Sequence, residues 1–230
     1  MTELVLFDID GTLVDVRGAG RRAFVAALER TWGIVDAESD LRRADVSFAG
    51  ATDLGVLRQL RQRLALDEPH EPAFFVAMEQ TLLVELEREK PRLYDGVERC
   101  LARFAAPAPA GRGDVVLGFV TGNAMRCAHV KIEAAGIDRG RFVVGGYGDE
   151  HHDRPTLARM AKERAEQFCA EQLGGHGFDR VLLIGDTPSD IAAARHIGAV
   201  AIGVTTGHFG RQQLTDAGAD LVVDSLDQLP

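Results

Sequence analysis

Long apolar runs are missing from this 230-residue chain. No stretch approaches the ~20 consecutive apolar residues of a membrane span, so no membrane partner is expected. No basic segment precedes the first apolar run, and that run is too short for a signal peptide; the expected location is cytoplasmic. Cysteine is scarce. Cys100, Cys127 and Cys169 are scattered, odd in number and without metal-ligand spacing, which argues against a disulfide scaffold and for buried free thiols. Positive charge is also short: Lys and Arg number 26 against 35 Asp and Glu, a net charge of -9. That balance speaks against a nucleic-acid partner and offers no bulk attraction to an anionic ligand. An anion site here must work locally, through a metal, backbone amides and a few basic side chains.

The chain does have enough apolar residues, 46%, for a substantial core. Its length permits one large domain or a core domain with a smaller insert. The most informative stretch is Leu4-Val5-Leu6-Phe7-Asp8-Ile9-Asp10-Gly11-Thr12-Leu13. It begins as the kind of apolar run that forms a buried parallel strand and ends in two carboxylates one residue apart. Alternate strand residues share a face, so Asp8 and Asp10 can point the same way. Adjacent carboxylates raise each other's pKa unless a cation lies between them. Gly11 allows a sharp turn and a close approach of backbone to ligand. A divalent metal with an anionic substrate would satisfy this arrangement. The plainer reading makes Asp10-Gly11 a turn. A turn, however, does not require a carboxylate at Asp8 directly after four apolar residues.

Beyond Asp15 the periodicity becomes helical. Ala23-Phe24-Val25, Ala27-Leu28 and Trp32 form one stripe, with Gly33 as a helix end. Leu54, Val56-Leu57, Leu60 and Leu64 form a second, and Phe74-Phe75, Met78, Leu82-Leu83 and Leu86 a third. Pro69 and Pro72 are expected to separate these two. Residues 16–89 thus read as a helical insert without strands, flanked by a domain made of 1–15 and 90–230. In that domain strands are expected at Val115–Val120, Phe142–Val144, Val181–Ile184, Val200–Val204 and Leu221–Val223. Helices are expected at Val97–Ala105, Ala124–Ala135 (closed by Gly136), Thr156–Leu173 and Ile191–Ile197. The segment with Pro107, Pro109, Gly111 and Gly113 reads as a loop. Alternating strands and helices imply an α/β fold with a parallel, doubly wound sheet, whose ligands bind beyond the carboxyl ends of the strands. Asp8, Thr121 and Asp186 each follow an apolar strand directly, so they are expected to meet at one sheet edge.

Thr121-Gly122-Asn123 offers a hydroxyl and backbone N–H groups at a helix N-terminus, an anion site, or simply a helix cap. Gly185-Asp186-Thr187-Pro188-Ser189-Asp190 places two carboxylates in one loop, though Asp190 could serve only as a helix-starting acid.

The stretch Phe7-Asp8-Ile9-Asp10-Gly11-Thr12-Leu13, followed in order by Thr121 and by Gly185–Asp190, resembles the motifs of the haloacid dehalogenase superfamily over nearly the whole chain. The resemblance implies a Rossmann-like core with an inserted helical cap. It also implies a phosphatase that uses Mg2+ and acts on a small phosphorylated metabolite. Asp8 would be the nucleophile and Asp10 the acid and base. Thr121, with Gly11, Gly122 and Asn123, would hold the phosphoryl group, and Asp8, Asp10, Asp186 and Asp190 would be the metal set. The family's usual Lys-Pro is replaced by Arg154-Pro155, which makes Arg154 the candidate for the Lys role. Lys131 and Lys162 are the alternatives, although both read as solvated or packing residues. Phe48-Ala49-Gly50-Ala51-Thr52-Asp53 is similar to a stretch in the caps of phosphoglycolate-phosphatase-like members, or is a helix cap before Leu54. Other branches are less compatible. A dehalogenase lacks the second carboxylate held here by Asp10. A phosphonatase needs an amine, and no Lys occurs before Lys90. A sugar phosphomutase, or a non-catalytic binder of phosphorylated ligands, remains open, as does the choice between monomer and homodimer.

Overall fold

The computed structural model describes residues 2–66, 70–105, 114–174 and 177–229. Pro69 and the segment with Pro107, Pro109, Gly111 and Gly113 lie outside them. In chain order the strands are β1 (Glu3–Phe7), β2 (Val14–Asp15), β3 (Arg92–Leu93), β4 (Val115–Val120), β5 (Phe142–Gly146), β6 (Arg180–Gly185), β7 (Val200–Val204) and β8 (Leu221–Val223). Six of them form one sheet in the order β5-β4-β1-β6-β7-β8, and every pairing in it is parallel. The fold is therefore the expected α/β, doubly wound sheet.

Strand β1 is central because it is apolar on both faces. Val5 and Phe7 pack into one cluster with Phe24, Leu57, Phe74 and Ile132. Leu4 and Leu6 pack into another with Leu157, Ala161, Ile191 and Leu214. This is the period-two alternation of a strand covered on both sides. The last residue of β1, Phe7, lies in register with Phe119 of β4 and Ile184 of β6. The loops beginning at Asp8, Thr121 and Asp186 consequently leave the sheet side by side. Chain order reverses beside β1, which is where a crevice opens in such sheets.

The helices are α1 (Ala19–Trp32), α2 (Ala37–Arg43), α3 (Asp53–Leu64), α4 (Glu71–Arg88), α5 (Val97–Ala105), α6 (Met125–Ala134), α7 (Arg154–Phe168), α8 (Pro188–His196) and α9 (Arg211–Asp216). Gly33 ends α1 in the left-handed conformation, φ 67°. Helices α1 and α4 pack through Phe24, whose ring meets Phe74 edge-on at 4.9 Å and Phe48 at 5.2 Å. The apolar cluster of the insert is continuous with one face of the sheet.

Several elements differ from expectation. Pro72 is not a separator: it sits in the first turn of α4, where its missing N–H has no intrahelical acceptor to lose. The short helices α2 and α9 escaped because seven and six residues hold too little periodicity. Strands β2 and β3 pair antiparallel, Val14 with Leu93 and Asp15 with Arg92, where the chain leaves and re-enters the sheet domain. Two-residue strands leave no alternation to read. Helix α7 begins two residues early, because Asp153 caps it by accepting from Thr156 N at 3.0 Å. It passes into a π-helical turn, Cys169–Leu173. All three cysteines are free and buried.

Candidate active site

Asp8 leaves β1 with its amide donating to Ile184 O at 2.9 Å and its carboxylate buried, 4% exposed. Arg154, the first residue of α7, reaches it: Nη2 donates to Asp8 Oδ1 at 2.7 Å. The other guanidinium nitrogen, Nη1, lies 2.7 Å from Asp190 Oδ1. One planar fork therefore spans two carboxylates, which a point-charged ammonium would do less well. Asp190 is doubly engaged. Its Oδ2 accepts from Thr187 N at 3.0 Å and Thr187 Oγ1 at 2.7 Å, forming a capping box at the start of α8. It is thus both the helix-starting acid and a partner of Arg154.

Asp186 is buried beside them and accepts weakly from Thr12 Oγ1, at 3.3 Å. Gly11, at φ 80°, carries no Cβ because the Asp186 carboxylate fills that space. Asp8, Asp186 and Asp190 can each offer an oxygen within 4.8 Å of the others. Burial raises Asp8 to about 7; Arg154 opposes this and the charges of Asp190 and Asp10 add to it. Burial, then the charges of Asp8 and Asp190, raise Asp186 to about 8. Such a cluster of hard oxygen donors, short of positive charge, suits a divalent cation such as magnesium.

The carboxylate of Asp10 lies outside this cluster, although it was expected within the metal set. Its Oδ2 accepts from Lys131 Nζ at 2.6 Å and Asn123 Nδ2 at 2.7 Å. Its Oδ1 is buried and has no hydrogen-bond partner among the described residues. Lys131 is the principal correction to the sequence reading. It is 2% exposed, and its ammonium also donates to Asn123 Oδ1 at 2.5 Å. Burial alone would lower its pKa, but the charge and hydrogen bond of Asp10 and the charge of Asp53 outweigh that and hold it raised. A signal did exist: Lys131 stands four and three residues after buried Cys127 and Ala128, on the inward face of α6. A Lys on a buried face needs a carboxylate partner. Lys162 is elsewhere, donating to Ile197 O at 3.1 Å.

Thr121 is fully buried, and its Oγ1 accepts from Asn123 Nδ2 at 2.8 Å. At the N-terminus of α6 the two amides that follow Asn123 are already engaged. Asp53 Oδ2 takes Ala124 N at 2.7 Å and Asp149 Oδ1 takes Met125 N at 2.9 Å. Burial raises Asp53 to about 6 against the opposing charge of Lys131. Neither Thr121 nor Asn123 caps α6; Thr52 does cap α3, accepting from Gly55 N at 3.0 Å. The sequence reading also missed the loop after β7, where Thr206 Oγ1 donates to Gly11 O at 2.5 Å. That loop starts at the same sheet edge as Asp8 and Asp186, which was the available clue. A cavity of about 740 Å³ opens over these groups, walled by Asp8, Asp10, Arg154 and Asp186 below and by Arg21 and Phe48 of the insert above.

A family model described as haloacid dehalogenase-like hydrolase matches residues 2–198. The chain belongs to this family. Among curated relatives of this haloacid dehalogenase-like hydrolase, a probable phosphatase IndB of Dickeya dadantii (strain 3937) is 28% identical over 235 residues, covering 100% of this chain and 92% of the relative. A phosphoglycolate phosphatase of Pseudomonas fluorescens (strain Pf0-1) is 24% identical over 242 residues, covering 100% and 79%. The crystal structure of CbbY from Rhodobacter sphaeroides in complex with phosphate shares the fold, with TM-score 0.68 at 20% identity, over 100% of this chain and 96% of that one. Among the described residues of this hydrolase, no helix is long and apolar enough to cross a membrane.

Proposed function

We propose that this hydrolase is a magnesium-dependent phosphatase that cleaves a small phosphomonoester through an aspartyl-phosphate on Asp8. The observation that carries the reading is the separate anchoring of two carboxylates with one residue between them. Asp8 is gripped by Arg154, while Asp10 is held by a different cation, Lys131. Separate environments for paired carboxylates are what separate roles require.

In the proposed reaction a carboxylate oxygen of Asp8 bonds to phosphorus as the bond to the leaving oxygen breaks. Asp10 gives its proton to that leaving oxygen. Asp10 then accepts a proton from the water that attacks phosphorus, releasing inorganic phosphate and restoring Asp8. In this reading Arg154, Thr121 and the Gly122 amide would stabilise the charge on the transferring group. Magnesium held by Asp8 and Asp186, with Asp190 in reach, would neutralise the crowded carboxylates and the phosphoryl oxygens. The helical insert acts as a cap over the cavity, excluding water during transfer. Buried free thiols suit a reducing compartment such as the cytoplasm.

A phosphoglycolate-phosphatase-like specificity is supported by the Pseudomonas fluorescens relative and by the Gly50–Asp53 stretch at the cavity. A phosphate-release screen over phosphoglycolate, sugar phosphates and nucleotides, with magnesium or with chelator, tests the reading. Release that depends on magnesium is expected. Full release after dialysis into chelator would overturn it.

A further inference from the structure

The cap reaches the acid–base carboxylate by two routes that the general reaction does not use. The first runs through Asp53. Its amide donates to Gly122 O at 2.7 Å, and its Oδ2 accepts from Ala124 N at 2.7 Å. The cap thus holds the backbone on both sides of Asn123. That residue is the partner of Asp10, of Lys131 and of Thr121. The approach is close because Gly122 and Gly148 lack side chains: a Cβ on Gly122 would meet Ala51 O, and one on Gly148 would meet Gly122 O. Leu54 N adds a hydrogen bond to Gly148 O at 2.9 Å.

The second route runs through Gly20 in α1. Glycine inside a helix is unfavourable, and the structure gives its reason. A Cβ there would lie 3.0 Å from Lys131 Nζ and 3.5 Å from its Cε. The ammonium that holds Asp10 sits under a gap in a cap helix.

We propose that Asp53 and Gly20 make the seated cap a clamp on the Lys131–Asn123–Asp10 triad, so that Asp53 is a positioning residue for protonation of the leaving group. This rests on the phosphatase reading above. When the cap is seated, Asn123 and Lys131 aim Asp10; when it lifts, Asn123 and Lys131 lose their support, and departure of an unactivated alkoxide loses its proton donor. A phosphatase so built does not commit to bond breaking until the cap is down.

The test compares an alkyl phosphomonoester with p-nitrophenyl phosphate, whose leaving group needs little protonation. Asp53→Ala should lower kcat on the alkyl ester by roughly 10- to 100-fold, with a loss on the aryl ester at least about ten times smaller. Asp53→Asn keeps an acceptor for Ala124 N–H and should recover much of the rate. Gly20→Ala removes no hydrogen bond and improves helix propensity, so it should fold; it should show the same ester-selective loss, roughly 3- to 10-fold. Equal losses on both esters, or no loss in either variant, would overturn the proposal. Hydrogen exchange over residues 121–131 needs no turnover. In Asp53→Ala the Ala124 amide should exchange at least about tenfold faster, and unchanged exchange would overturn the clamp. Wild-type protein inactive on every phosphomonoester, with the exchange result as expected, would sink the phosphatase reading and leave the clamp standing.

Discussion

Replacing Arg154 by Ala removes the cation that, among the described residues, faces both Asp8 and Asp190. Both ion pairs are 2.7 Å long and all three side chains are nearly inaccessible. Deleting one partner of a buried pair costs about 3–5 kcal/mol, because the remaining charge is buried and uncompensated. In a chain of this length about 2–4 °C of Tm accompanies each kcal/mol, so metal-free Arg154→Ala should melt roughly 10 °C lower at pH 8. The sign with pH follows from the carboxylates. Without Arg154, Asp8 and Asp186 are raised further, so the folded chain binds more protons than the unfolded one and its stability falls as pH rises. The deficit relative to wild type should therefore be largest at pH 8 and should roughly halve at pH 5, where the folded carboxylates take up protons. Magnesium at pH 8 should shrink it as well. Turnover should fall by roughly 10² or more, since a charged donor to the transferring group is lost. Arg154→Lys should recover part of both, because one ammonium restores charge without spanning Asp8 and Asp190. Thermal melts at the two pH values, with and without magnesium, and steady-state phosphate release check this. A Tm deficit independent of pH would refute the electrostatic argument, and turnover within about twofold of wild type would refute the role in transfer.

Asp8→Asn should abolish turnover while preserving the fold, and beryllium fluoride should protect wild type but not the variant against thermal unfolding; a variant that turns over like wild type, measured before any deamidation, would refute the nucleophile. In metal-free wild type, Asp8 and Asp186, raised to about 7 and about 8, hold protons that the unfolded chain has already lost. These two groups make stability fall as pH rises from about 4 to about 8, and the Tm gained on adding magnesium should grow across that window. An equal gain at pH 5.5 and pH 8 would contradict the assignment of the cation to this cluster. Gly122→Ala should push the Ala51 carbonyl away and displace the helical insert, lowering kcat/KM by roughly tenfold or more; unaltered kinetics would show that this contact does not matter to turnover.

Much of the architecture was legible in the residues alone. The apolar runs of β1, β4, β6 and β7, each followed at once by a polar residue or a glycine, were sufficient to place Asp8, Thr121 and Asp186 at one sheet edge. Gly33 and Gly136 marked helix ends that the structure confirms in left-handed geometry. The tertiary structure decided who holds whom. Lys131 stands 121 residues from Asp10 in sequence, and nothing in the helical pattern of α6 names that carboxylate as its partner. Asp53 and Asp149 reach the N-terminus of α6 from other elements, so the amides of Ala124 and Met125 are already taken by carboxylates. Asp190 serves its own helix and Arg154 at once. The physical reason is one of scale. Periodicity records which face of a helix or strand is buried, a local property of a few residues. The pairing of buried charges depends on how loops from distant strands pack within hydrogen-bond reach, and only the folded chain brings them that close.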